Sequence, residues 1–342
     1  MRRISEGFSI IPTLILSFCL LSLDVSRHLC PEITPNLSMM SPDSISFLVS
    51  SVLGLVLAIP SNTCIVMGNL DIIRKKGKLS PSDVIFLGKG IVNILLQCVL
   101  SVQGMLYVLC PEILYIRQVY GFVNTSVFFL TCYNFWLIFW LSAHYCTSIT
   151  NLSYGFFIWI KRIVSNFLSH LLFLTALGVF IVSVPAFWTV NAESPLQFFE
   201  NSTEASVSRL RSISSYFVPV TFLGCILPFC LSLLCLVLTS SFLLRHVWRV
   251  KNNDSGSTRP NLQAHVTALR TIFFLLLMFK LFCIIRIFML FRDSPKLIPI
   301  VNWNLRLLSQ SVEAAIIFQA SKKLRRIILR KFWTRSRRNT ET

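Results

Sequence analysis

The sequence predicts an all-α membrane protein built as a bundle of seven transmembrane helices, and three observations carry that expectation. Of 342 residues, 54% are hydrophobic and only 13% charged, whereas charged residues form about a quarter of an ordinary soluble domain. The apolar residues fall in long runs rather than at a period of two or 3.6, and crossing about 30 Å of hydrocarbon takes roughly 20 of them in a helix. The 32 Lys and Arg against 14 Asp and Glu, a net charge of +18, collect between those runs.

Seven segments are long enough to cross: residues 45–70, 84–109, 122–147, 169–190, 214–244, 271–291 and 297–320. If the first begins outside, the loops and tail on the opposite side hold Arg74, Lys75, Lys76 and Lys78, then Lys161 and Arg162, then Arg245, Arg249, Lys251, Arg259 and Arg270, then nine more cations from Lys322 to Arg338. That side carries 20 cations and the other eight. Positive charge stays on the cytoplasmic side of short loops, so the N-terminus is expected outside and the tail inside, in a multi-pass protein of the plasma membrane. Cations flanking apolar runs meet anionic lipid headgroups, and nucleic acid is not an expected partner.

Residues 1–44 read as an extracellular extension or signal-like segment, 45–320 as the helical domain, and 321–342 as a basic cytoplasmic tail. Met1-Arg2-Arg3 followed by the apolar stretch Phe8–Leu23 has the basic start and short apolar region of a signal peptide and is short for a span. After the last span, Leu324, Ile327, Ile328 and Phe332 recur at i, i+3, i+4 and i+8 among Lys and Arg. That is the pattern of an eighth, amphipathic helix lying in the membrane interface.

Catalysis finds no foothold. The five His are scattered, no HExxH, GxSxG, P-loop or GxGxxG occurs, and no carboxylate pair is placed for acid–base work. Most of the 11 Cys lie inside apolar runs, where a thiol acts as a small hydrophobe. Without a CxxC pair, no metal site is expected, and no cofactor is implied. A seven-helix bundle with short loops and a basic inner face is most economically a signalling receptor. A channel or transporter is the competing class, although no inverted repeat marks one.

Ser61-Asn62, Asn69 and KLSPSD (Lys78–Asp83) resemble the end of helix 1 and the first inner loop of type 2 (bitter) taste receptors. Trp136, Leu141-Ser142, Tyr145, Asn151-Leu152-Ser153 and FFIWIKR (Phe156–Arg162) are similar to that family's helix 3 and second inner loop. LPFCLSLL (Leu227–Leu234), Arg245-His246, Pro260, AHVTALRT (Ala264–Thr271) and Phe274–Leu277 continue the likeness through helices 5 and 6. The match covers about residues 45–333. It implies a G-protein-coupled chemosensory receptor that takes small-molecule bitter agonists and activates a heterotrimeric G protein. Vomeronasal type 1 receptors, which share the mechanism, are the nearest alternative. The family's helix 2 Arg aligns with Asn93 and its helix 7 HS pair with Glu313-Ala314, while ASKKLR (Ala320–Arg325) stands for GNxKLK.

Four cations lie within spans, Lys89, Lys280, Arg286 and Arg306, and an ionisable group there usually has an interior partner. Lys89 lies one turn before Asn93 on the same face, and Glu313 takes the helix 7 position that the family's arrangement turns toward helix 2. Either the two form a charge-assisted pair, or Lys89 snorkels to the inner interface and a protonated Glu313 bonds a backbone carbonyl.

The resemblance also implies an outward-opening ligand cavity between helices 3, 5, 6 and 7. Its positions correspond to Val127, Phe128, Thr131 and Cys132 on helix 3, Tyr216, Phe217 and Val220 on helix 5, Phe288 on helix 6, and Trp303, Arg306 and Gln310 on helix 7. Trp303 and Arg306 are three apart, hence on one helical face, an aromatic wall beside a cation suited to aromatic or anionic molecules. Arg306 could instead pair with phospholipid or Asp293. On the inner face the resemblance assigns Tyr145, Lys161, Arg162, His246, His265 and Arg270 to a G-protein cradle. Asn201-Ser202-Thr203, in the second outer loop, is a glycosylation sequon.

Overall fold

The computed structural model describes residues 42–77, 79–110, 112–113, 116–149, 155–189, 219–252, 269–278, 280–281, 297–321 and 324–326. These form an all-α membrane bundle, and five of the helices are long and apolar enough to cross a bilayer. In chain order the first three spans are Pro42–Lys76, Pro81–Leu109 and Arg117–Ile149. The fourth is Leu168–Ser183, carried on by the short helix Ala186–Thr189 after a turn at Pro185. The fifth combines a π turn, Phe222–Ile226, with the helix Leu227–Asn252. A shorter apolar helix, Leu269–Met278, occupies the sixth segment, and Leu297–Ala320 forms the seventh. The eighth helix expected in the tail lies largely outside the described residues; within them Ser321 Oγ accepts from Leu324 N–H at 3.2 Å, and Leu324 is buried.

Local chemistry explains the boundaries. Gly77 adopts φ +67 and donates to Ile73 O at 2.7 Å, the left-handed closure that ends a helix without strain only at glycine. Two residues later the KLSPSD string works as a helix start. Ser80 Oγ accepts from Asp83 N–H at 3.3 Å, Pro81 fills a first-turn position that needs no N–H, and Asp83 puts a carboxylate at the positive helix end. FFIWIKR, which resembles the family's second inner loop, lies in a helix of its own, Gly155–Asn166, with Ile158, Trp159 and Arg162 exposed. In the fifth span the π turn ends two residues before Pro228, whose ring would crowd the carbonyl four residues back and which has no N–H to offer it.

Where no water reaches, the nearest acceptor for a hydroxyl is a carbonyl of its own helix. Thr63, Ser142, Thr147, Ser232 and Thr239 each donate to the carbonyl four residues earlier, at 2.6–2.9 Å. The third span is the central post and packs against the second, fourth and fifth spans and Gly155–Asn166, while the first rests on the second and seventh. The core joins Ile65, Leu96, Leu100, Leu137, Ile138, Leu141, Ile272, Leu275, Leu307 and Ile317. Outward-facing Phe173, Leu174, Phe180, Leu234 and Leu244 present the hydrocarbon face.

Small residues set the closest approaches, the usual device for bringing helices together in lipid. A methyl group added at Gly104 would overlap Ser51 Oγ and come within 2.9 Å of the Trp303 ring. Gly104→Ala is therefore expected to lower receptor stability by about 1–3 kcal/mol. Ser51→Ala in the same chain should recover part of the loss, read as apparent Tm of the purified protein.

Candidate functional site

Polar side chains gather where the first, second, third and seventh spans meet. Lys89, on the second span, has no exposed surface, and its Nζ lies 3.0 Å from Glu313 Oε2 on the seventh. The same ammonium donates to Asn134 Oδ1 on the third span at 2.6 Å. Asn134 Nδ2 in turn donates to Glu313 Oε2 at 3.1 Å, closing a three-membered ring of contacts across three helices. One turn along, Asn93 Nδ2 donates to Asn62 Oδ1 at 3.2 Å, and Asn62 Nδ2 reaches Ala58 O at 2.9 Å and Gln310 O at 3.2 Å. Further along the second span, Gln97 Nε2 donates to Ser101 Oγ at 3.1 Å, and Ser101 donates to Ser51 O at 3.2 Å. Each bond ties one span to the next or braces a residue that does.

Two cavities flank this network. The first, about 30 Å³, is lined by Thr131, Asn134, Phe135, Arg306, Gln310 and Glu313 together with Leu96, Leu100, Met278, Leu305 and Ser309. Gln310 is 3% exposed and its Oε1 has no partner among the described residues. The volume accommodates a water or two, and the lining is polar enough to hold them. The second cavity, about 270 Å³, lies between the third, fourth and fifth spans and is mostly apolar.

The residues assigned to one pocket from the sequence therefore divide. Thr131, Arg306 and Gln310 line the first cavity, and Phe128, Cys132 and Val220 line the second. Val127 is buried in the core. Trp303 does not stand beside Arg306 as a shared wall: its ring meets Phe47 of the first span edge-on at 5.6 Å and closes over Gly104 of the second. The reason is geometric. Residues three apart on a helix still differ by about 60° around its axis, enough to face different neighbours in a crowded bundle. Tyr216, Phe217 and Phe288 lie outside the described residues.

At the other end of the sixth segment, Arg270 Nη2 donates to Gln319 Oε1 at 3.2 Å and its guanidinium lies 5.8 Å from the centre of the Phe274 ring. Tyr145 is half-buried near the end of the third span, and Arg162 is exposed on Gly155–Asn166. The backbones of Lys161 and His246 are helical; His265, Asn201 and Arg286 lie outside the described residues. Sequence reasoning missed Asn134, whose one signal was an amide inside an otherwise apolar run, and it missed Gly178 and Gly224, which shape the second cavity.

A family model described as Taste receptor protein (TAS2R) matches residues 39–336, most of the chain. The chain belongs to the type 2 taste receptor family. It is 28% identical over 235 residues to Taste receptor type 2 member 40 of Gallus gallus, covering 66% of this chain and 71% of the relative. It is 30% identical over 247 residues to Taste receptor type 2 member 41 of Rattus norvegicus (71% and 80%), and 26% over 287 residues to member 9 of Homo sapiens (81% and 89%). This type 2 taste receptor is thus a multi-pass membrane receptor of the bitter-taste, G-protein-coupled kind.

Removing one member of a buried ion pair leaves the other charge uncompensated, at a cost of about 3–5 kcal/mol. Lys89→Met and Glu313→Gln should each sharply lower the yield of folded receptor at the cell surface. The double variant should lose much less than the two single losses combined, and strictly additive losses would dissolve the pair as an energetic unit.

Proposed function

We propose that a small molecule entering between the third, fifth, sixth and seventh spans stabilises an inner-open state of this receptor, which then activates a heterotrimeric G protein. The observation that supports the reading is membership of a family of taste receptors; Thr131, Arg306 and Gln310 share only a water-sized cavity, between the second, third, sixth and seventh spans. Arg306 brings to the cavity wall a guanidinium, a group suited to rings and carboxylates, and Gln310 Oε1 is an acceptor with no partner among the described residues. Agonism is then higher affinity for the inner-open state.

The network below the cavity supplies the coupling. Glu313 lines the cavity wall and also holds Lys89 and, through Asn134, the third span. A ligand that shifts the seventh span changes the partners of all three residues at once. On the inner side, Tyr145, Lys161, Arg162, His246, His265 and Arg270 form the G-protein cradle, and the Arg270–Gln319 bond holds the sixth and seventh segments together in the resting arrangement. The uneven distribution of cations supports an extracellular N-terminus, a cytoplasmic tail on anionic lipid, and a glycan at Asn201.

The test is calcium mobilisation in cells expressing this chain with a promiscuous G protein, challenged with a panel of bitter compounds. A response that requires the G protein is expected. Arg306→Ala should raise the half-maximal concentration of anionic agonists at least tenfold with surface labelling unchanged. Ligand-gated current that persists without any G protein would overturn the reading. His265→Ala is expected to alter basal or agonist-driven signalling at unchanged surface expression, and equal loss of both would remove His265 from the cradle.

A further inference from the structure

We propose that the cavity between the third, fourth and fifth spans is a second binding site, for a compact apolar molecule that arrives dissolved in the bilayer. It is separate from the small cavity of Thr131, Arg306 and Gln310 and makes no use of the Lys89–Glu313 network, and it takes Phe128, Cys132 and Val220 away from the agonist pocket to which the family resemblance assigned them. Its walls are Phe128, Cys132 and Trp136 from the third span, Val179 and Val182 from the fourth, and Leu223 at the π turn of the fifth. At about 270 Å³ it approaches the lower end of the range for small-molecule pockets.

The lining chooses the chemistry. The two hydroxyls in the wall are already engaged on their own helix: Thr175 Oγ1 donates to Leu171 O and Ser183 Oγ to Val179 O, each at 2.7 Å. Thr175 Oγ1 also accepts from Trp140 Nε1 at 3.0 Å. This is the reverse of the first cavity, where Gln310 Oε1 stands unmet. A roomy cavity whose hydroxyls are satisfied stays dry and takes hydrocarbon, as an apolar cavity of about 150 Å³ takes benzene. Nearly twice that volume fits a bicyclic molecule of about ten carbons.

Two glycines make the space and its access. A Cβ on Gly224 would stand 2.5 Å from Cys132 Sγ, so the third and fifth spans close the inner wall tightly at that point. A Cβ on Gly178 would meet nothing within 4 Å, so the fourth span leaves its side of the recess open. Leu174, Leu177, Ile181 and Phe222 beside the recess are all exposed on the hydrocarbon face. The occupant therefore enters from lipid rather than from water.

The experiment uses the purified full chain in phosphatidylcholine nanodiscs, photolabelled with a naphthyl diazirine, with adducts mapped by mass spectrometry. Saturable labelling of the stretch from Thr175 to Ser183 and of Leu223 is expected, reduced at least tenfold by excess naphthalene. Gly178→Phe, which fills the recess, should reduce it at least tenfold at unchanged Tm, while Gly178→Ala keeps it. Labelling that rises linearly with probe, resists naphthalene and spreads along Leu174, Leu177 and Ile181 would mean that acyl chains alone fill the recess and would overturn the proposal. The naphthalene competition is read on the unmodified chain, so it decides the matter even where Gly178→Phe fails to reach the membrane. No G protein or agonist enters this measurement, so its result is independent of the signalling reading.

Discussion

A lysine with no exposed surface in the middle of a membrane protein constrains everything around it. Lys89 Nζ needs a carboxylate and a neutral acceptor within bonding distance, and Glu313 and Asn134 supply them from two other helices at 3.0 and 2.6 Å. In lipid there is no hydrophobic force between helices, so packing and directed polar contacts set which faces meet. The second, third and seventh spans thus share one register, fixed by the point where three side chains converge. The first span joins through Asn62, which reaches both Asn93 and the Gln310 carbonyl.

The same arrangement ties three helices at one point. The ring of Lys89, Asn134 and Glu313 has few intermediate geometries, because each partial separation strands a charge or an amide in hydrocarbon. Glu313 belongs both to that network and to the wall of the small polar cavity. Glu313 thus joins the cavity wall to the second and third spans through contacts of about 3 Å. Across the third span, the larger cavity is built on the opposite rule, with its hydroxyls satisfied locally and its walls apolar.

Much was legible in the residues. The apolar runs located the spans because a bilayer of fixed thickness demands a minimum helix length, and Pro81–Leu109 agrees with the expected 84–109 to within three residues at its start. The string KLSPSD already contained a cap, a first-turn proline and a first-turn carboxylate, all local chemistry. The family strings were legible for the same reason, since each is contiguous. That FFIWIKR, likened to the family's second inner loop, forms a helix of its own was not legible, because a 12-residue helix leaves no long apolar run.

What a sequence determines by itself is whatever depends on neighbours along the chain: where the apolar runs lie, the helix caps, where the cations cluster, and the membership of a family of taste receptors. Tertiary structure decided the rest. Trp303 and Arg306 part company because the first and second spans take the tryptophan, while Arg306 faces the cavity. Asn134 became the bridge between Lys89 and Glu313 because three helices from distant parts of the chain place it there. Gly178 leaves one cavity open and Gly224 closes its inner wall for a reason no one-dimensional pattern contains, namely what stands across from a missing side chain.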